Sequence, residues 1–212
     1  MPARLRPTAP NAAAAILVGD PGRALMLAQE LLRQPKMSNH ARGLWGYTGL
    51  THEGHELTIQ STGMGGPSAT VVLHDLAELG VRRAVRIGTC ASLGDLELGT
   101  LALVGEARAT GGKAVAPDAE LATSLRQALP GAREATVASL DALHHHLEEV
   151  SLSADVADLQ TAGLLAAGRK LGVALAAVLV VAETTAGGVL DEPESEAAAK
   201  RAGSAAAAVL SP

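Results

Sequence analysis

Short apolar runs alternate along the chain with longer segments in which apolar residues recur at helical spacing. A short apolar run that ends at glycine or polar residues predicts a buried strand, whereas apolar residues at every third or fourth position predict an amphipathic helix. The predicted strands are residues 14–18, 84–89, 101–107, 133–139 and 173–182. The predicted helices are residues 24–34, 67–79, 118–129, 155–171 and 194–210.

Proline and glycine mark several of these boundaries. Pro35 is expected to stop the first helix, while Pro67 suits the first position of the second helix and Gly80 its end. Polar–apolar runs within residues 43–61 predict a hairpin. The alternation therefore predicts an α/β fold with a mixed central β-sheet flanked by helices on both faces, in a single domain over residues 1–212.

Composition narrows the classes of function. The chain has 212 residues, of which 48% are hydrophobic, and this is enough for one sizeable core. Phe is absent and Trp and Tyr occur once each, so the aromatic platforms that stack the bases of single-stranded nucleic acids are missing. The formal net charge is −5 and no basic run stands out, so we expect no nucleic-acid partner.

The single cysteine, Cys90, excludes an intrachain disulfide and a cysteine-built zinc site. The short apolar stretch at residues 12–18 runs straight into a glycine turn and favours a first strand over a signal peptide. No apolar segment is long enough and free enough of glycine to span a membrane. We therefore expect a cytoplasmic protein without a membrane partner.

Two arginines stand where open α/β sheets hold their ligands. Arg23 closes the turn Gly-Asp-Pro-Gly-Arg at residues 19–23, directly after the first predicted strand, and Arg86 lies inside the second. Ligands of such sheets bind beyond the carboxyl ends of the strands. A buried guanidinium requires an opposite charge, because an unpaired buried charge is very unfavourable. Two converging guanidinium groups and glycine-rich backbone suit a small dianion such as phosphate.

Each of these segments also has a purely structural interpretation. A solvated Arg23 would need no ligand, and Arg86 could pair with a buried carboxylate. The glycine-rich segment at residues 63–68 joins a predicted strand to a helix N-terminus, which favours a bound anion. The same segment could be a plain turn, so the alternatives remain open for each segment alone.

Taken together, the segments resemble the nucleoside phosphorylase-I family, which includes uridine phosphorylases and hexameric bacterial purine nucleoside phosphorylases. Residues 19–23 look like its first phosphate loop, and residues 61–68 and 86–89 look like its next two site segments. Residues 39–49 match the family segment that lies between the first phosphate loop and residues 61–68. The resemblance is dense from about residue 14 to residue 93 and recovers at residues 158–160 and 180–183. It implies the fold and the activity of that family.

The resemblance also implies roles for residues at matching positions. These are phosphate binding by Gly19, Arg23, Arg42, Arg86 and Thr89; ribose binding by Met64, Leu159 and Gln160; base binding by Cys90, Ala91, Leu143 and Asp158; and catalysis by Arg86 and Glu183. Arg42 would reach the phosphate of a neighbouring subunit, so a dimer-based homo-oligomer is implied, which could be a hexamer.

The sequence departs from the family pattern in its ribose and base segments. Residues 158–160 read Asp-Leu-Gln where Glu-Met-Glu is usual. The amide oxygen of Gln160 can still accept a hydrogen bond, but it lacks the negative charge of a glutamate. Ribose binding is therefore expected to be weaker. Glu183 stands where purine enzymes have an aspartate, and we expect it to protonate the leaving base. Leu143 or His144 replaces the aromatic residue that usually stacks on the base.

Residues 144–146 are three consecutive histidines, which suggests a metal site only superficially. Three consecutive residues cannot share one face of a helix. No neighbouring residues complete a set of ligands with the usual spacing, so we expect no bound metal.

The sequence favours a phosphorylase that cleaves a nucleoside with inorganic phosphate as co-substrate and without a further cofactor. The departures at residues 158–160 and at Glu183 leave the choice between purine nucleosides and uridine open. A hydrolytic nucleosidase of the same fold is one alternative, although it would have no use for a phosphate site. A non-catalytic protein that binds nucleoside or phosphate is the other.

Overall fold

The computed structural model describes residues 4–141, 154–185 and 187–211. The strands are β1 (Ala14–Val18), β2 (Leu32–Asn39), β3 (Gly46–Thr51), β4 (Glu56–Ser61), β5 (Arg83–Ser92), β6 (Leu101–Ala109), β7 (Ala114–Val115), β8 (Arg133–Ser139), β9 (Val156–Asp158) and β10 (Ala174–Thr184). The helices are α1 (Pro21–Leu31), α2 (Gly66–Glu78), α3 (Ala119–Ala128), α4 (Thr161–Leu171) and α5 (Glu192–Leu210). No helix within these residues is long and apolar enough to cross a membrane.

The sheet is mixed, as the sequence predicts. β5 is its central strand and pairs in parallel with both β1 and β10. The order β5–β1–β4–β3–β2 forms one wing, in which β1 and β4 are parallel and the hairpin of β3 and β4 is antiparallel. On the other side, β10, β6, β8 and β9 lead back to β5, so this part of the sheet closes on itself.

Helices cover both faces of the sheet, which confirms the predicted architecture. Successive side chains of a strand point to opposite faces. Leu17 of β1 therefore packs in one apolar cluster with α2 and α4, whereas Ile16 packs in the other with α1, α3 and α5. In β5, the side chains of Val85 and Ile87 belong to the second cluster, so Arg86 between them points to the other face. Its side chain consequently lies on the side of α2 and α4.

Two predicted helices have different limits in the structure. The first begins at Pro21, where its fixed φ suits a first turn, and ends at Leu31. Pro35 does not stop it but lies within β2, at an irregularity in the pairing with β3. The prediction of a helix from residue 155 is wrong at its start, because Val156–Asp158 is strand β9 and α4 begins at Thr161.

Candidate active site

A cavity of about 480 Å³ opens where the carboxyl end of β1 and the middle of β5 meet the start of three helices. Its walls come from the turns β1–α1, β4–α2 and β9–α4 and from β5. The lining residues are Gly19, Asp20, Pro21, Arg23, Gly63, Met64, Gly65, Arg86, Gly88, Thr89, Leu159 and Gln160. The cavity thus lies where the strand-end rule places the ligands of α/β sheets.

Helices α1, α2 and α4 all begin at this cavity. Helix N-termini carry partial positive charge, so their convergence favours an anion. The Asp20 side chain already caps α1 by accepting from the backbone N–H of Arg23 at 2.6 Å. Gly65, at the start of α2, has φ 82° and no side chain to cap the helix. The left-handed backbone at Gly65 favours glycine and leaves that helix end open.

Arg86 is 4% exposed and is held by three side chains. Its Nε donates to Thr161 Oγ1 at 3.1 Å, its Nη1 to Gln160 Oε1 at 2.6 Å and its Nη2 to Asp158 Oδ2 at 3.0 Å. Three of the five guanidinium N–H donors are engaged in this way. The remaining donor on each terminal nitrogen is available to a ligand in the cavity.

Asp158 is the buried counter-ion of Arg86. Its side chain is 1% exposed and also accepts from Ser139 Oγ at 2.5 Å and from Thr161 Oγ1 at 2.6 Å. The backbone N–H of Thr161 donates to the same carboxylate, so Asp158 also caps the first turn of α4. The structure does not support the prediction that Asp158 contacts the base. Its carboxylate binds Arg86 and does not line the cavity.

Arg23 also lines the cavity and contacts α5. Its Nη2 donates to Ser195 Oγ at 3.3 Å. Burial lowers the pKa of Arg23, and the charge of Arg86 acts in the same direction, while Asp20 and Glu192 raise it. The two guanidinium groups therefore repel each other across the cavity, and an anion between them would relieve this repulsion.

Gln160 joins two walls of the cavity. Besides accepting from Arg86, its amide Nε2 donates to the backbone carbonyl oxygen of Gly63. Gly19 is adjacent, since a Cβ there would approach the Gly63 oxygen to 3.5 Å. Gln160 is 3% exposed, although it stands where the sequence predicts a ribose ligand.

The structure brings most of the predicted phosphate and ribose residues together. Gly19, Arg23, Arg86, Thr89, Met64, Leu159 and Gln160 line the cavity. Met64 is 84% exposed and stands at the cavity mouth.

The other predicted residues do not line the cavity. Cys90 and Ala91 are buried in β5 just beyond Thr89, and burial raises the pKa of the Cys90 thiol to about 12. Glu183 is exposed and pairs with Ala91 after a bulge in β10. Arg42 is also exposed, in a turn where its backbone φ is 62°.

Leu143 and the histidines at residues 144–146 lie outside the described residues. Within the part of the chain that the structure describes, no cluster of three or more His, Cys, Asp or Glu side chains could hold a metal ion.

Sequence reasoning missed three side chains that hold the arginines in place. Thr161 and Ser139 complete the network around Asp158, and Ser195 contacts Arg23. Thr161 directly follows the segment 158–160, so its place in the sequence could have indicated that it lies near the site. Ser195 lies 172 residues from Arg23 along the chain and carried no such signal.

Fold and cavity together define the class: an α/β protein with a cationic cavity at its strand ends. The profile of the phosphorylase superfamily matches residues 13–212, and the chain belongs to that superfamily. This finding confirms the family resemblance inferred from the sequence.

Curated relatives match a shorter part of the chain. A DeoD-type purine nucleoside phosphorylase of Oceanobacillus iheyensis is 40% identical over 79 residues, which are 37% of this chain and 33% of that protein. The protein of the same name from Caldanaerobacter subterraneus is 43% identical over 79 residues, covering 37% and 34%. That from Lactococcus lactis is 39% identical over 97 residues, covering 45% and 41%. The matched segment thus spans about a third to two fifths of these relatives.

Proposed function

We propose that this protein is a nucleoside phosphorylase that cleaves purine nucleosides with inorganic phosphate, releasing the free base and ribose 1-phosphate. The observation that carries the proposal is the pair Arg23 and Arg86, which face one cavity lined by the predicted phosphate and ribose residues. Membership of the phosphorylase superfamily supports the reaction type. The names of the curated relatives support the choice of purine nucleosides.

In the proposed reaction, phosphate lies between Arg23 and Arg86, with the Thr89 hydroxyl and the Gly19 backbone as further ligands. A phosphate oxygen attacks the anomeric carbon of the ribose, and the bond from that carbon to the base breaks with its electron pair moving to the base. The sugar passes through an oxocarbenium-like state, which the phosphate charge stabilises. Positioning of the two reactants supplies much of the remaining acceleration.

The departing base takes up a proton, and we assign Glu183 as its donor. Glu183 pairs with Ala91, which lies two residues beyond the cavity residue Thr89 on the adjacent strand. General acid catalysis by a carboxylic acid of this kind assists departure of the base. No cofactor takes part in the proposed reaction.

The proposed active protein is a cytoplasmic homo-oligomer in which Arg42 of the partner subunit completes the phosphate site. Two observations support this arrangement: Arg42 is exposed, and it lies outside the cavity of its own chain.

The test incubates the protein with inosine, adenosine, guanosine or uridine, with and without phosphate, and measures the released base by chromatography. We expect phosphate-dependent cleavage of the purine nucleosides and formation of ribose 1-phosphate. Arg23→Gln should lower the rate at least about tenfold, because one charged phosphate contact is lost. Arg126→Gln, an exposed site far from the cavity, is the matched control. An equal rate without phosphate, or no cleavage of any nucleoside, would contradict the proposal.

A further inference from the structure

Gln160 makes two hydrogen bonds that require an acceptor and a donor at the end of one side chain. Its Oε1 accepts from Arg86 Nη1 at 2.6 Å, and its Nε2 donates to the carbonyl oxygen of Gly63. An arginine can only donate and a carbonyl oxygen can only accept, so these neighbours fix which amide atom faces which. A carboxylate at this position could accept from Arg86 but could not donate to Gly63.

The two partners of Gln160 belong to different walls of the cavity. Arg86 projects from β5, whereas Gly63 begins the turn that leads into α2. Gly63 has φ 71°, so its backbone is held in a conformation that favours glycine. The Gln160 side chain therefore connects the phosphate-binding guanidinium to the glycine-rich turn.

These contacts leave Gln160 little capacity for a ligand. The side chain is 3% exposed, and the Thr62 hydroxyl lies 3.2 Å from the same Oε1 that accepts from Arg86. The usual role of this position is to accept hydrogen bonds from the sugar hydroxyls, and here Arg86 and Thr62 already lie on the Oε1 acceptor, which leaves only the second N–H of Nε2 for a ligand. The geometry favours a role inside the protein.

We propose that Gln160 is a positioning residue for phosphate, which acts by bracing the Arg86 guanidinium against the turn at Gly63, and not a ribose ligand. With Thr161 and Asp158 on the other nitrogens, the brace fixes the guanidinium in one plane. The two remaining N–H donors then point in set directions before phosphate arrives. Such preorganisation raises affinity because less conformational freedom is lost on binding. The inference rests on the phosphate site of the proposed function.

The test measures the affinity for inorganic phosphate by calorimetry in the absence of nucleoside. Gln160→Met keeps the length of the side chain but removes both hydrogen bonds. Gln160→Glu keeps the acceptor for Arg86 and loses the donor to Gly63. We expect Gln160→Met to bind phosphate about tenfold or more weakly, in line with the loss of a hydrogen bond to a charged group. Gln160→Glu should also bind phosphate more weakly than the wild-type protein, because its carboxylate cannot donate to Gly63 and brings a negative charge to the phosphate site. The exposed Gln127, changed to Met and to Glu, supplies matched controls that bind normally.

The alternative roles predict different results. A ribose ligand at Gln160 would leave the affinity for phosphate alone unchanged, and a side chain that competes with phosphate for Arg86 would give tighter binding in Gln160→Met. Either result overturns the brace. Wild-type affinity in Gln160→Glu would also overturn it, because the donor to Gly63 would then be dispensable.

A second measurement separates the brace from the proposed function. If the wild-type protein binds no phosphate, the proposed function fails, and the brace is judged from hydrogen–deuterium exchange at the backbone amides of residues 62–66. Faster exchange in Gln160→Met than in Gln127→Met supports the link to Gly63. Equal exchange in the two variants overturns it. This readout also serves if Gln160→Met is less stable, because both variants are compared under conditions where they are folded.

Discussion

The Arg86 guanidinium donates to the Asp158 carboxylate at 3.0 Å, and both side chains are almost completely buried. Arg86 also lines the cavity. The two interpretations of Arg86 that the sequence left open, a ligand contact and a structural ion pair, are therefore compatible. The carboxylate offsets the unfavourable burial of the guanidinium, while the free donors remain available to an anion.

Replacing Asp158 by Asn should destabilise the protein, because it leaves the charge of Arg86 buried without a counter-ion. Breaking a buried ion pair at one partner costs about 3–5 kcal/mol. The free energy of unfolding, measured in urea, should fall by an amount of this order. The double variant Arg86→Met with Asp158→Asn removes the stranded charge and should lose less than the single variant. Additive losses would contradict the argument.

The sequence predicted β1, β5, β6, β8, β10, the hairpin of β3 and β4, and helices α1 to α5, because their apolar runs are local signals. It missed β2, whose exposed and buried positions follow no regular pattern and which is specified by pairing with β3. It also extended α4 towards its N-terminus across β9. There Asp158, the last residue of β9, accepts a hydrogen bond from the backbone N–H of Thr161, the first residue of α4, and periodicity does not report such a contact.

The site was predictable to the extent that strand ends define it. Gly19 and Arg23 follow β1, and Thr89 ends the strand predicted at residues 84–89, so their convergence could be inferred from the alternation alone, although β5 continues to Ser92. The partners that orient the arginines could not be inferred. Ser195 contacts Arg23 from a distant part of the chain. The Asp158 side chain reaches Arg86 because β9 pairs with β5, and this pairing is not a local signal.

Gly88 should be essential for the position of Arg86. A Cβ at Gly88 would lie 2.5 Å from Arg86 Nη2 and 2.9 Å from Leu179 Cδ2, and both contacts are too short unless these side chains move. In Gly88→Ala we expect the guanidinium to shift and the affinity for phosphate to fall at least about tenfold. Calorimetry with inorganic phosphate checks this. Gly131→Ala is the matched control, since its Cβ would meet open space. Equal affinities in the two variants would exclude the steric argument.

Cys90 should make stability depend on alkaline pH. Burial, with a smaller effect of Asp158, raises the pKa of its thiol from 9.0 to about 12. The unfolded chain ionises near the ordinary pKa, so the contribution of the neutral thiol is complete below pH 9 and is lost as the pH rises towards 12. By pH 10.5 the wild-type protein should have lost about 2 kcal/mol more than Cys90→Ala. Urea unfolding of both proteins at several pH values tests this, and parallel pH profiles would contradict it.

Arg42 offers the sharpest test of a shared phosphate site. It is exposed, its backbone φ is 62°, and it does not line the cavity of its own chain. Arg42→Ala and Arg23→Ala should each lower phosphate-dependent cleavage at least about tenfold when assayed alone, because each removes a charged phosphate contact.

Unfolding and refolding the two variants as an equal mixture should restore activity. In a mixed dimer, one site combines an intact Arg23 with Arg42 of the partner subunit. Random pairing makes half of the dimers mixed with one intact site each, so roughly a quarter of the wild-type rate is expected. Each variant refolded alone is the control, and sedimentation shows whether the subunits associate. If Arg42 acted within its own chain, the mixture would give only the mean of the two variants. That result in associated subunits would exclude a shared site.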